Sequence, residues 1–134
     1  MSQDWVKDIA EMHDKYGVQT WVANNPEKLE QLLHFRIAFL QEEYNETFKA
    51  AGEKDPEEIV DGLIDLCVVA IGTLDAMGVD PYKAWDEVHK ANMAKEVGVK
   101  ESRPNPLGLP DLIKPEGWQA PSHTGNYGLL NNIR

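Results

Sequence analysis

The chain reads as all-α: a four-helix bundle built around an antiparallel helical hairpin, followed by an irregular proline- and glycine-rich tail. Three observations lead to that class. Asn25-Pro26, Asp55-Pro56 and Asp80-Pro81 each set a capping residue before a proline suited to the first helical position. Gly52, Gly78 and Gly98 stand where the segments opened in this way should close. No stretch alternates apolar and polar residues for long enough to predict a strand.

Taken in order, the predicted helices are roughly 3–16, 26–51, 56–77 and 81–97. The first ends at Gly17 in the same manner as the others. The second contains FRIAFLQEEYNETFKAA, where Phe35, Phe39, Glu42 and Glu46 share one stripe and Glu43 lies about 100° round from Glu42. The link Gly52-Glu53-Lys54-Asp55 is short enough to fold the second and third helices into a hairpin. The third, PEEIVDGLIDLCVVAIGTLDAM, is apolar nearly all round, the pattern of a central buried helix. The fourth ends in VHKANMAK. Beyond Gly98 lie five of the eight prolines and four of the ten glycines, which rule out regular helix or sheet there. That tail also holds Leu107, Leu109, Leu112, Ile113 and Trp118, too much apolar surface for a free linker. The expected organisation is a helical domain over 1–98 and an extension over 99–134. The extension should pack on the bundle from Arg103 to Trp118 and be loose over its last ten residues.

With 134 residues, 42% of them apolar, the chain suffices for one domain with a real core. Its one cysteine, Cys67, falls in an apolar run and reads as a structural thiol. A basic segment followed by an apolar one is absent, and the longest apolar run, Leu66 to Leu74, is about half a membrane span. A cytosolic protein with no membrane partner is expected. The net charge of −10 is uneven: residues 1–98 hold 20 acids against 9 bases, and residues 99–134 hold 3 against 4. So acidic a body repels a nucleic-acid polymer, yet can hold a small polyanion if divalent cations bridge the two.

The third helix carries acids where its pattern calls for none. Glu58, Asp61 and Asp65 fall at roughly 0°, 300° and 340° on the helical wheel, one face of an apolar helix. Carboxylates so placed repel one another and lose solvation unless cations compensate them. Across the hairpin, Glu42, Glu43 and Glu46 can face them. All-oxygen donors suit Mg²⁺ or Mn²⁺. Each acid also has a plainer reading: Glu43 and Glu46 as a solvated face, Glu58 as the second member of an Asp55–Glu58 capping box, Asp61 and Asp65 as hydrogen-bonded buried aspartates. A ferritin-like dimetal site needs Glu-x-x-His pairs, and this sequence has none.

On these residues the chain resembles the all-α NTP pyrophosphohydrolases, the MazG-like and phosphoribosyl-ATP pyrophosphohydrolase-like group. The family motif Glu-Glu-x-x-Glu corresponds to Glu42-Glu43-Tyr44-Asn45-Glu46, and Glu-x-x-Asp to Glu58-Ile59-Val60-Asp61. The resemblance implies Glu43, Glu46, Glu58 and Asp61 as Mg²⁺ ligands, with Mn²⁺ a substitute, and Glu42 as an accessory acid. Glu43 or Glu42 would be the general base. It also implies phosphate contact by Lys54, and ligand contacts by Asn92 and Lys95 in the following helix. The similarity spans about 26–98, and LPDLIKPEGW in the tail is similar to C-terminal segments of phage-type relatives, whose setting would be the host cytoplasm. Only 11 residues separate the half-motifs, at the short end for the family.

The reaction so implied is cleavage of a (d)NTP between its α- and β-phosphates, giving (d)NMP and pyrophosphate. Phage-type relatives place dGTP or GTP first. The alternatives are dCTP or dUTP, phosphoribosyl-ATP, and a helical module that binds nucleotide or metal without turnover. Phe39 and Phe35, with Trp21, Trp85 or Trp118, could stack on a base or simply fill the core. His34 and His89 have no motif partners and read as surface or core residues. Gly62 and Gly72 lie on the acid face, where they let another helix come close. The resemblance and the apolar third helix together imply a homodimer or homotetramer.

Overall fold

A computed structural model describes residues 1–100, 102 and 105–133, so the expectations placed on Arg103 and Pro104 lie outside the described residues. The chain divides into two compact units, Met1–Pro81 with the segment from Tyr127, and Tyr82–Asn126. Helix dominates, as predicted. Helix α1 spans Trp5–Tyr16, α2 Val18–Asn24, α3 Leu29–Glu53, α4 Pro56–Ala76 and α5 Pro81–Met93. No single described helix is long and apolar enough to cross a membrane.

In the first unit, Asp4 caps α1 by accepting the Lys7 amide at 3.0 Å. Gly17 ends α1 in the left-handed region, as expected, but the chain enters α2 at once. The extra helix escapes prediction because its cap is a glycine without a side-chain bond and its residues include two valines and a threonine. Asn25-Pro26 opens only a 3₁₀ turn, Pro26–Lys28, while the Asn25 amide turns back to the Trp21 carbonyl at 2.8 Å. Gly52 is not the end of α3; the helix runs on to Glu53 and Lys54 supplies the left-handed cap. Asp55 and Pro56 start α4 as predicted.

The core of this unit holds Ile9, Val22, Leu29, Ala50, Val69, Ala76, Met77 and Val79. His13 is buried among them, with Nδ1 at 2.7 Å from Asp75 Oδ2, and Gln19 Nε2 donates to the same Oδ2 at 3.0 Å. These bonds tie α1 and α2 to the end of α4. Within the last ten residues, Gly128–Asn132 forms a 3₁₀ turn, and the Leu129 amide donates to the Met77 carbonyl at 2.7 Å. Nor is α4 enclosed on every side, since Val60, Leu63 and Ile64 are 63%, 51% and 45% exposed. Cys67 is half-buried beside an apolar cavity lined by Trp5, Ile9 and Ile64.

In the second unit α5 stops at Met93, short of the predicted end at 97. Glu96–Gly98 forms strand β1 instead, paired antiparallel with β2, Asp111–Ile113, with Val97 opposite Leu112. The expectation of a tail free of sheet therefore fails, because a three-residue ribbon is too short to show in a period-two pattern. Gly98 belongs to this ribbon, where the Ile113 side chain lies so close that a Cβ would meet it at 2.6 Å. Trp118 packs on α5, its Nε1 donating to the Ala91 carbonyl at 2.8 Å. That bond satisfies one of the carbonyls left open at the helix end.

Candidate functional site

The turn between α3 and α4 sets the site. Lys54 adopts φ 55° and ψ 42°, and the Asp55 carboxylate accepts the Glu58 amide at 3.2 Å. Two helices joined so tightly run antiparallel, side by side. Their register is fixed at two places. Thr47 lies against Gly62, where a Cβ would come within 3.2 Å of Thr47 Cβ and 3.4 Å of its Cα, and would overlap Oγ1. Arg36 lies against Val69 and Thr73, with Nη2 donating to the Val69 carbonyl and Nε to Thr73 Oγ1, both at 3.1 Å. Arg36 and Thr47 are 11 residues apart on α3, and Gly62 and Thr73 are 11 apart on α4. The pairing therefore keeps step between the two places and sets Glu43 level with residue 66, one residue from Asp65, the nearest acid of α4 to that level.

The electrostatics report that proximity. Partial desolvation pushes the Glu43 carboxyl above its ordinary value, and Asp65, Glu46, Glu42 and Asp61, in that order, push it further. Asp65 is raised by desolvation, then by the Asp61 charge and a side-chain hydrogen bond with Asp61. Each shift has the sign of like charges crowding one another, which a cation would reverse. Five acids thus share one field: Glu42, Glu43, Glu46, Asp61 and Asp65.

Glu58 is not among the charges acting on Glu43 or Asp65. It shares their face of the helix but precedes Asp65 by seven residues, about 10 Å along the axis. Its amide belongs to the Asp55 cap. Asp65, absent from the ligand set that the motif implies, takes the place opposite Glu43. The helical wheel alone puts Asp65 on the acid face; what it lacks is the register of the hairpin. Asp61 is exposed, whereas Asp65 and Glu43 are half-buried, so of Asp61 and Asp65 the less exposed is the one outside the motif. Among the described residues, no group of three or more Asp, Glu, His or Cys stands in the geometry of a formed metal centre. The donor set is nonetheless all carboxylate oxygen, the chemistry a hard divalent cation selects.

Phe39 is half-buried and stacks on Phe35 at 6.5 Å and 12°, with Phe35 67% exposed, so this pair is not core. Lys54 is exposed at the turn, and Trp21 and Trp85 are exposed as well. Asn92 is exposed on α5 in the second unit, where Lys95 lies over the Trp118 ring at 5.4 Å and Lys114 at 4.9 Å. Lys95 and Trp118 are thus engaged with each other. His34 is on the surface, 3.8 Å from Glu30, and His89 is exposed. Arg36 gives no motif signal; its spacing of seven residues from Glu43, two helical turns on the same face, could have marked it.

A helical hairpin with acids on its two facing stripes, and without the histidines of di-iron bundles, has the form of the all-α pyrophosphohydrolases that act on nucleotides. The family model for phosphoribosyl-ATP pyrophosphohydrolase matches residues 18–92, more than half of the sequence, and the chain belongs to that family, within the MazG-like superfamily. The matched stretch takes in both acid-bearing helices. No curated protein matches the chain.

Proposed function

We propose that this pyrophosphohydrolase is a Mg²⁺-dependent enzyme cleaving nucleoside triphosphates between the α- and β-phosphates to monophosphate and pyrophosphate. The observation that carries the proposal is the gathering of carboxylates from both helices of the hairpin around Glu43 and Asp65, each raised by partial desolvation and then by its acidic neighbours. Glu43, Glu46, Asp61 and Asp65 are the residues that would hold the cation, with Glu42 at the edge of the set. Bound there, Mg²⁺ would neutralise the triphosphate and polarise its phosphoryl oxygens.

The chain's own residues do the rest. Water adds at a phosphorus flanking the αβ bridge, the bridging P–O bond breaks, and the water's proton passes to a carboxylate. Glu43, half-buried among the acids, is the assigned acceptor, with Glu42, exposed at the edge of the set, as the alternative. Lys54, just ahead of the N-terminus of α4, adds positive charge where that helix's dipole does. Phe39 offers a half-buried ring for a base. Asn92 and Lys95 are assigned to ligand through the family resemblance alone. The exposed apolar residues of α4, Val60, Leu63 and Ile64, support burial against a second copy and hence a homodimer or homotetramer.

A panel of NTPs and dNTPs with Mg²⁺, scored for monophosphate and pyrophosphate, tests the reading. Turnover is expected, with guanine nucleotides first on the resemblance to phage-type relatives. The family match favours a second substrate, phosphoribosyl-ATP, which belongs in the same panel. Nucleotide-dependent stabilisation without hydrolysis of any member would replace the enzyme by a binding module.

A further inference from the structure

We propose that Arg36 is a positioning residue for the acid cluster: by clamping α3 to the backbone of α4 it sets the level at which Glu43 faces Asp65, and so the affinity of the site for a divalent cation. The proposal rests on reading that cluster as a cation site. At the turn end of the hairpin, the covalent link and the Thr47–Gly62 approach hold the two helices close. At the other end, Arg36 makes both side-chain hydrogen bonds that run from α3 to α4 among the described residues. Apolar packing alone is non-directional and does not stop one helix sliding on the other. A slide of one residue moves Asp65 by about 1.5 Å relative to Glu43, whereas metal–oxygen distances tolerate roughly ±0.2 Å.

The local chemistry suits a clamp better than a filler. The planar guanidinium reaches two acceptors at once, which a lysine ammonium on a flexible stem does not do with the same geometry. Gly72 opens the slot for it, since a Cβ there would lie 2.5 Å from Arg36 Nη2 and 3.2 Å from the His13 ring. Burial lowers the Arg36 pKa, and both of its hydrogen-bond partners are neutral oxygens. An apolar side chain would fill this position without that desolvation cost. The Val69 carbonyl also accepts Thr73 Oγ1 at 2.7 Å, so loss of Arg36 leaves no orphaned acceptor and the variant should fold.

The test measures Mn²⁺ binding by electron paramagnetic resonance to native protein, Arg36→Met, Arg36→Lys and Thr73→Val, at a temperature where circular dichroism shows each folded. Arg36→Met should bind Mn²⁺ at least about tenfold more weakly, the usual scale for residues that orient metal ligands. Arg36→Lys should fall between it and native protein, and Thr73→Val should lose less in the same direction. With a turned-over nucleotide at fixed Mg²⁺, kcat should drop about tenfold or more while KM stays within about twofold. A lower Tm with native Mn²⁺ affinity would overturn the proposal, leaving Arg36 a stabilising residue only, as would native protein that binds no Mn²⁺. Native protein that binds Mn²⁺ but hydrolyses no nucleotide sinks the enzyme reading alone; weakened binding in Arg36→Met would still support the clamp. Should Arg36→Met not fold, Thr73→Val and Arg36→Lys decide by the same measure.

Discussion

Gly62→Ala is the sharpest probe of the hairpin register. In an isolated helix interior the change is favourable by about 0.5–1 kcal/mol, because glycine loses more backbone freedom on folding. Here the new methyl overlaps Thr47 Oγ1 and meets Thr47 Cβ at 3.2 Å and Cα at 3.4 Å. Turning the threonine away gives up its 2.8 Å bond to the Glu43 carbonyl, worth about 0.5–1.5 kcal/mol. Rotating the side chain moves neither Cβ nor the backbone, so the helices must also part slightly, and overpacking of this kind costs about 1–3 kcal/mol. Set against the helix-propensity gain, these ranges leave a net loss of about 0.5–4 kcal/mol, centred near 2, or roughly 6–10 °C in Tm at that centre for a domain of this size. Urea denaturation followed by circular dichroism measures it. In a Thr47→Ala background the overlap with Oγ1 is gone, and Gly62→Ala should cost about 1 kcal/mol less. Gly62→Ala as stable as native protein, with coupling to Thr47 below about 0.5 kcal/mol, would refute the close approach and the register built on it.

Three further outcomes are expected. Glu43→Gln, Asp61→Asn and Asp65→Asn should each lower kcat/KM by about a hundredfold or more, the scale for interactions central to charge stabilisation, while Glu58→Gln retains activity within a few fold; steady-state kinetics that rank Glu58 above Asp65 would favour the ligand set the motif implies. Because Glu43 and Asp65 are raised in the folded state, that state binds the extra protons, so their contribution to stability falls as pH rises from the ordinary carboxylate range through the raised values. Without divalent cation, Asp65→Asn should therefore gain Tm over native protein between about pH 4 and pH 7, and a flat difference across that range would contradict the crowding. Lys54→Gly relieves a left-handed residue and should add about 0.5–1 kcal/mol to stability, while KM for nucleotide rises if the ammonium meets phosphate; calorimetry and kinetics separate the two effects.

Much of this fold is encoded locally. Asp55-Pro56 caps α4 as predicted, Gly17 and Gly78 adopt left-handed conformations after helices, and the turn between α3 and α4 forces the hairpin. Tertiary context decides what local signals cannot. Lys54, rather than Gly52, ends α3, because the left-handed cap has to fall where Asp55 can both meet the Ala50 carbonyl and cap α4. The site is legible in the sequence as a face and illegible as a register. Helical periodicity groups Glu58, Asp61 and Asp65 correctly, but the choice of which one opposes Glu43 depends on how the two helices slide. Thr47, Gly62, Arg36 and Thr73 fix that slide through pairings of residues 15 to 37 apart in sequence, and no local pattern announces them.

The placement of those anchors explains how the fold tolerates its own acids. Five carboxylates gathered on one seam repel, and alone they would open it. The repulsion is local, however: Glu42, Glu43, Glu46 and Asp65 lie between the Thr47–Gly62 and Arg36–Thr73 anchors, and Asp61 is next to Gly62. Beyond the second anchor, the buried His13–Asp75 pair and Gln19 hold α1 and α2 to the same end of α4. Opening the seam would thus require breaking directional bonds at one end and unfolding a capped turn at the other. The acids are left to relieve their repulsion by the two routes open to them, taking up protons or taking up a cation. At neutral pH the second is the stronger, since a divalent ion interacts favourably with every member of the cluster at once whereas a proton neutralises a single carboxyl. Anchors beside the acids, instead of lysine or arginine neutralising them inside the cluster, are what the proposed cation site requires, since they would leave the carboxylates free to take up a cation and the polyphosphate it would bring.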